Sequence, residues 1–428
     1  MWTVKWVHWP VAVSNTGFIS MFARLCSRPA RRLNGAGGLC AVADSAAPCP
    51  GWRLLLYCAS GGAVDGARVR ELALQVTDWD GLMEAAEFHG LAAVLCHVAV
   101  DTCPDLMPPD VAGRLRNSTR DSARRNLILT SQLFALLDAF AAHGIAVVPL
   151  KGPVMAESLY PDPVLRPFSD LDLLVRKQDV ADAVQTLVQE GYTLGANMQR
   201  LPLRDLLRLN CELFFHRERM AHVDLQWEIG PAHYPFRIAP EMLWRSLGRT
   251  QMAGREVPCL SPEALLLFLC VHGTKHMWSR LQWLGDVARL PRAPLNWDVV
   301  LELAQEAKCI RPLLLGLSLA HELLEAPVPE GLLAQARTVQ AIQARAKQVA
   351  LRLMRFPPAE PQGWELTAFN ARMAERAWDK LRHYAAMLKA PTDQELEWFL
   401  LPAQLFFLYY PVRATRLALK YISRLVRG

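Results

Sequence analysis

The segment Phe168-Ser-Asp-Leu-Asp-Leu-Leu-Val175 constrains this chain more than any other stretch. Asp170 and Asp172 alternate with Leu171 and Leu173. In a β-strand that period of two sets both acids on one face and both leucines on the other. Two carboxylates on one strand face repel each other and gain nothing from packing. A divalent cation between them resolves the conflict, because hard Mg²⁺ takes oxygen ligands and neutralises the pair. A second stretch, His222-Val-Asp-Leu-Gln-Trp227, repeats the alternation, with Asp224 on its polar face and Val223, Leu225 and Trp227 on the other. Three carboxylates on neighbouring strands suit a two-metal phosphoryl-transfer site. The acid-x-acid pattern alone also fits the exposed face of an antiparallel sheet, so its surroundings must decide.

Upstream, Gly144-Ile-Ala-Val-Val-Pro-Leu-Lys-Gly-Pro153 reads as a short buried strand ending in Lys151-Gly152, followed by a helix through Tyr160. Glycine there lets the backbone approach a phosphate closely, and the start of the next helix offers unpaired N–H groups to an anion. A loop with Arg166, the acidic strand, a helix from about Gln178 to Glu190 closed by Gly191, and a hairpin carrying the third acid complete the order.

The run Leu150-Lys-Gly152, Arg166, Ser169-Asp-Leu-Asp-Leu-Leu-Val175, Gly191-Tyr192, His222-Val-Asp224 and Trp227 resembles the uncharacterised nucleotidyltransferases of the DNA polymerase β superfamily. The likeness continues through Leu260-Ser-Pro-Glu263, His272-Gly-x-x-His276 and Arg280-Leu-x-Trp-Leu-x-Asp286, and covers residues 52 to 428. The order of motifs is more specific than any one of them. The resemblance implies an α+β fold, the minimal nucleotidyltransferase mixed sheet with helices. It also implies metal ligands at Asp170, Asp172 and Asp224, holding two Mg²⁺ ions or Mn²⁺, and a triphosphate site of Lys151, Gly152, Arg166 and Ser169. ATP is the expected nucleotide. One departure matters: Lys151-Gly152-Pro153 stands where the wider superfamily has a Gly-Ser pair. The serine contact to the triphosphate is therefore missing, and Lys151 substitutes as a point charge.

The expected organisation has four parts. Residues 1–51 mix scattered tryptophans, an Arg-rich stretch from Arg24 to Arg32 and an aperiodic Gly/Ala/Ser/Pro-rich tail. Ser14, Asn15, Thr16 and Gly17 interrupt the apolar run that a secretory signal needs. This part reads as disorder, or as a start codon placed too far upstream of Met21 or a later residue. Residues 52–132 read as helices, residues 133–230 as the nucleotidyltransferase core, and residues 231–428 as helical again. A long helix or helix pair is expected over Val111–Phe140, and long helices over Leu332–Met354 and Trp364–Leu388. Gln251 to Leu260, around Gly254, reads as a small hairpin, and Ser261-Pro-Glu263 as a helix start. Arg114, Arg116, Arg120, Arg124 and Arg125 read first as a solvated helix face and second as a phosphate-binding flank.

His272 and His276 lie one helical turn apart. With Asp286 they could be drawn as a zinc site, although the spacing matches no common zinc motif. The preferred reading places His276, Lys275 and Arg280 at the cleft, contacting nucleotide or acceptor, with Trp278 and Trp283 packing the junction.

The ten cysteines show no C-x-x-C spacing and sit mostly in apolar contexts. That predicts buried reduced thiols and a cytoplasmic enzyme. A net charge of +6 over 428 residues admits a polyphosphate or nucleic-acid ligand without requiring one. The apolar run Trp398–Tyr410 is bracketed by Pro402 and Pro411 and is too short to span a bilayer, which takes about 20 residues. The basic amphipathic tail Arg413–Arg427 suits a solvated helix or peripheral membrane contact.

The expected reaction is in-line attack of an acceptor hydroxyl on the α-phosphate, releasing pyrophosphate, with a small molecule, a protein or RNA as acceptor. Two rivals are an antitoxin-like enzyme that modifies a protein side chain, and a catalytically idle fold used as a binding module.

Overall fold

The computed structural model describes residues 50–195, 198–200, 202–209, 211–218, 220, 222–230, 234–356, 360–361, 363–389, 408–413 and 415–416. Residues 1–49 of the expected N-terminal extension, most of the Trp398–Tyr410 run and most of the basic tail lie outside the described residues, while Pro50 and Gly51, placed in that extension, open the first helix.

Four short helices come first: α1 (Pro50–Ala59), α2 (Gly66–Ala73), α3 (Trp79–Phe88) and α4 (Ala92–Leu95). Aspartates start two of them. The Asp65 side chain accepts the N–H groups of Ala67 and Arg68, and Asp78 accepts that of Gly81, so each satisfies orphan donors of a first turn. α5 (Pro109–Ala142) runs 34 residues from a proline in its first turn. It ends where Gly144 takes a positive φ of 69°.

The sheet region follows as β1 (Val147–Pro149), α6 (Pro153–Leu159), β2 (Asp170–Val175), α7 (Val180–Gln189), β3 (Thr193–Leu194), α8 (Leu203–Leu209), β4 (Glu212–His216) and β5 (His222–Gln226). The strand order is β1-β2-β5-β4-β3. β2 and β5 are parallel, and every other neighbouring pair is antiparallel. After α9 (Pro240–Arg245), strands β6 (Leu247–Met252) and β7 (Arg255–Leu260) form the expected hairpin. Its turn residues Ala253 and Gly254 both have positive φ, as a tight two-residue hairpin turn demands.

Among the described residues the following elements are helical: α10 (Pro262–Lys275), α11 (Leu281–Arg289), α12 (Trp297–Ala307), α13 (Ile310–Leu324), α14 (Glu330–Thr338), α15 (Gln340–Leu353), α16 (Gly363–Met373) and α17 (Ala377–Lys389). Ser261 caps α10 by accepting the N–H of Ala264. Two expected long helices are each broken in two. Val339 leaves helical geometry between α14 and α15. Between α16 and α17 the Ala374 carbonyl accepts from the Arg311 guanidinium, and Glu375 accepts the Arg311 N–H, so these backbone and side-chain groups serve α13 instead of a continuous helix. No helix among the described residues is long and apolar enough to cross a membrane.

There are two apolar cores. α1 to α4, the first turns of α5 and the helices from α10 to α16 share the first. The second lies between the sheet and α5, α7 and the β6–β7 hairpin. α5 enters both, with Leu115 in the first and Leu129 in the second. Period-two alternation divides β2 between them. Leu171, Leu173 and Val175 fill the second core, while Leu174 belongs to the first. Asp170 and Asp172 share the face of Leu174, so the acids point into the seam between the sheet and the helical body. That placement buries them.

His89 ties the N-terminal helices to the C-terminal ones. Its Nδ1 accepts the Leu281 N–H at 3.2 Å, at the start of α11, and its ring meets Trp52 edge-on. Burial, with the Arg280 charge beside it, lowers its pKa from 6.5 to about 3. The neutral ring is thus favoured in the fold, whereas the unfolded chain takes up a proton below about 6.5. The stability due to this group is fully present above that pH and is lost as pH falls toward 3. Urea unfolding at steps from pH 7.5 to 4.5 checks it. His89→Asn, which keeps an acceptor but does not titrate, should show a shallower acid loss, by up to about 1.4 kcal/mol per pH unit. Parallel slopes in the two proteins would refute the assignment.

Candidate metal and nucleotide site

The parallel register of β2 and β5 places Asp172 directly opposite Asp224, and Asp170 opposite His222. Each of the three aspartates offers a carboxylate oxygen within 4.8 Å of the others, and among the described residues they are the cluster suited to a metal ion. Gln226, two residues beyond Asp224 and therefore on the same strand face, donates its side-chain N–H to Asp172 Oδ1 at 2.9 Å. Asp172 and Asp224 are each 3% exposed. Asp172 Oδ2 and Asp224 Oδ1 are buried with no hydrogen-bond partner. A buried carboxylate oxygen without a partner carries a desolvation cost that a hard cation relieves. The donor set therefore fits a divalent metal.

Lys151 supplies the local positive charge. The N–H of Leu150 bonds to the Asp172 carbonyl at 3.0 Å, extending the β1–β2 ladder and presenting the next side chain to the acids. Lys151 Nζ then lies 3.0 Å from Asp172 Oδ1. Burial works against its charge, but Asp172, Asp170 and Asp224 more than offset that and hold its pKa raised. Gly152 turns the chain away with φ 68°, and a Cβ there would sit 3.3 Å from the Asp170 carbonyl oxygen. Only glycine takes this backbone without strain. Burial and then the neighbouring Asp172 charge push Asp170 above the usual carboxylate range. Asp224 rises for the same reasons, with Asp170 adding to Asp172. Ser169 is half-buried at the head of the strand, and its backbone hydrogen-bonds the Asp170 carboxylate.

α10 brings two histidines toward this region. The rings of His272 and His276 are 4.8 Å apart, and Trp283 packs edge-on against His272 at 5.0 Å. Burial keeps both imidazoles neutral, with Lys151 the next cause for His272 and Lys275 followed by Lys151 for His276. His276 Nδ1 is buried without a partner. Trp278 is fully buried and wedged against Gly273 and Gly316, where an added Cβ would clash with its ring. It packs, as expected.

Two expected nucleotide contacts are engaged elsewhere. Arg166 is buried and forms a two-pronged pair with Asp286, with Nε–Oδ1 at 3.0 Å and Nη2–Oδ2 at 2.9 Å. Tyr160 donates its hydroxyl to the same Asp286 Oδ1 at 2.8 Å. Through this pair Arg166 latches the sheet region to α11. The same partners remove Asp286 from any zinc site with His272 and His276. Arg280 likewise lies over the Phe88 ring at 3.8 Å and pairs with Glu360 at 2.6 Å. It clamps helices together and does not face the cleft. The signal for Gln226 was in the sequence, two residues after Asp224. None pointed to Asp286, 120 residues from its arginine.

The arginines of α5 follow the solvated reading. Asn126 donates to the carbonyls of Pro163 and Arg166, at 3.0 and 3.1 Å, so this side of the helix faces the loop leading to Asp170. Arg124 lies about 200° round the helix from Asn126, with Arg120 and Arg116 nearby on the outer arc. Arg116, Arg120, Arg124 and Arg125 are exposed.

A family model described as uncharacterised nucleotidyltransferase matches residues 75–325, more than half of the chain. No curated protein matches. Among solved structures, the chain is similar to the lincosamide antibiotic adenylyltransferase LnuA in its lincomycin-bound crystal structure. Identity is 20% over 32% of this chain and 84% of that one, with a TM-score of 0.24. It is also similar to the antibiotic-resistance factor ANT(2'')-Ia in its solution structure, at 15% identity over 42% of this chain and 92% of that one, with a TM-score of 0.31.

The latch has a measurable worth. Asp286→Ala leaves the Arg166 charge buried and uncompensated, and should cost about 3–5 kcal/mol of unfolding free energy. Replacing both partners by apolar residues, Arg166→Met with Asp286→Leu, should recover most of it. Denaturant unfolding of the two variants checks this. A loss below about 1 kcal/mol, the range of exposed pairs, would rule the latch out.

Proposed function

Since this chain belongs to the uncharacterised nucleotidyltransferase family and is a transferase, we propose that it moves a nucleoside monophosphate from a nucleoside triphosphate to an acceptor hydroxyl and releases pyrophosphate. The observation that carries the proposal is the pair of orphaned buried oxygens, Asp172 Oδ2 and Asp224 Oδ1, on strands that set their residues directly opposite each other.

Asp170 and Asp172 would hold two Mg²⁺ ions, or Mn²⁺, and Asp224 would complete one of the two sites. Bound metal would polarise the α-phosphate and lower the pKa of the acceptor hydroxyl. The protein's own groups do the rest. Asp224, at the metal position it completes, would take the acceptor proton. Lys151 would neutralise the triphosphate, for which we assign ATP, and Gly152 lets the backbone come close to it. Arg166 and Arg280 are engaged with Asp286, and with Glu360 and the Phe88 carbonyl, which assigns them first to holding the fold. The neutral rings of His272 and His276 are suited to hydrogen-bonding an uncharged hydroxyl, with the free Nδ1 of His276 as the first candidate.

Partner-free thiols at Cys58, Cys96 and Cys270 are buried. They support a reducing compartment, and we place the enzyme in the cytoplasm.

The test uses the full chain, Mg²⁺ and each labelled triphosphate in turn, with pyrophosphate release and transfer of label as readouts. Mg²⁺ or Mn²⁺ should raise the melting temperature of the wild type. Asp172→Asn should fold, lose that shift and slow turnover at least about a hundredfold, since metal polarisation is worth several kcal/mol. Identical melting of wild type and variant, with and without metal, would show that the acids bind no ion.

A further inference from the structure

Lys151 meets the acids in a way that its role toward the triphosphate does not explain. Its ammonium is 3.0 Å from Asp172 Oδ1, and the Lys151 side chain is 17% exposed. Gln226 anchors that same oxygen from the other strand. Two buried carboxylates and a half-buried one set together on neighbouring strands need a counter-charge. The ammonium of Lys151 pairs with Asp172 and feels the charges of Asp170 and Asp224. A compact ammonium on a flexible stem can leave such a position, which a planar guanidinium fork does less readily.

Resting on the metal-site reading above, we propose that Lys151 is a place-holder for the metal charge. It neutralises the acids while the site lacks nucleotide, and it transfers to the triphosphate when metal and nucleotide arrive together. A dication and the ammonium sharing one carboxylate repel each other, so metal alone binds weakly. A triphosphate removes the conflict by offering the ammonium its own oxygens. Metal is then taken up as a complex with nucleotide, and the lysine changes partner without ever being left buried and unpaired. Gly152 contributes by keeping the turn free of a side chain beside the moving stem, since a Cβ there would press on the Asp170 carbonyl.

The two roles of Lys151 predict effects of opposite sign. Mn²⁺ is titrated into the full-length wild type, Lys151→Met and Lys151→Arg, and the free ion is read by electron paramagnetic resonance. Without nucleotide, Lys151→Met should bind Mn²⁺ at least about tenfold tighter than wild type, the usual worth of a charge-assisted contact. Lys151→Arg, which keeps the cation, should stay near wild type. With a non-hydrolysable ATP analogue present, the order should reverse, and wild type should hold the ion about tenfold more tightly than Lys151→Met. Should Lys151→Met fail to fold, Lys151→Gln replaces it, with the same gain and reversal expected. Equal Mn²⁺ affinity of wild type and the uncharged variant without nucleotide, or no reversal with the analogue, overturns the place-holder alone. Absence of Mn²⁺ binding in every protein overturns the metal-site reading itself, so the two failures are told apart.

Discussion

Three carboxylates side by side on two parallel strands, two of them buried and one half-buried, form an arrangement that repels itself, and much of the surrounding structure answers that repulsion. The parallel pairing of β2 with β5 sets Asp172 against Asp224. Burying them raises the pKa of Asp170 and Asp224. Lys151 offsets part of the charge, and Gln226 fixes one oxygen. Two oxygens are still left over. A core selected for stability alone would fill these positions with apolar side chains, as Leu174 does further along the same face. Keeping acids there costs folding energy, and the return lies in chemistry.

The helical body makes the burial possible, because the acid-bearing face of the sheet looks into it. One loop, residues 160–167, makes several of the polar contacts that hold sheet and body in register. Tyr160 and Arg166 reach Asp286, the Pro167 carbonyl accepts from Gln282, and Asn126 holds the Pro163 and Arg166 carbonyls. The loop ends three residues before Asp170, the first of the three clustered acids. Support for the site therefore comes from outside the sheet.

What the sequence made legible followed from local rules. Period two assigned Asp170, Asp172 and Asp224 to one face and Leu171, Leu173, Val223 and Leu225 to the other, and the cores divide that way. Turn and cap chemistry located the β6–β7 hairpin and the start of α10. What the sequence did not show was of another kind. Arg166 and Arg280 looked like phosphate ligands because an arginine near a cleft offers donors of the right shape. Their true acceptors, Asp286 and Glu360, lie 120 and 80 residues away, and no local pattern announces a partner at that distance. The same limit explains the broken helices, where α13 claims groups at Ala374 and Glu375. Lys151 lay between these cases: its charge was legible, but its proximity to Asp172 required the sheet to be assembled.

α5 has a mechanical consequence. Its first turns are rooted in one core and its last in the other, and between them Asn126 grips the loop before Asp170. Over that middle span the outer face is bare, with Leu127 73% exposed. A rod clamped at both ends and pinned near its centre behaves as a lever. Tilting one body against the other would bend the rod at its least supported stretch and displace the pin, and the pin is attached to the chain entering the acidic strand. Strain between the two bodies would thus reach the carboxylates through a shaft, without crossing the sheet.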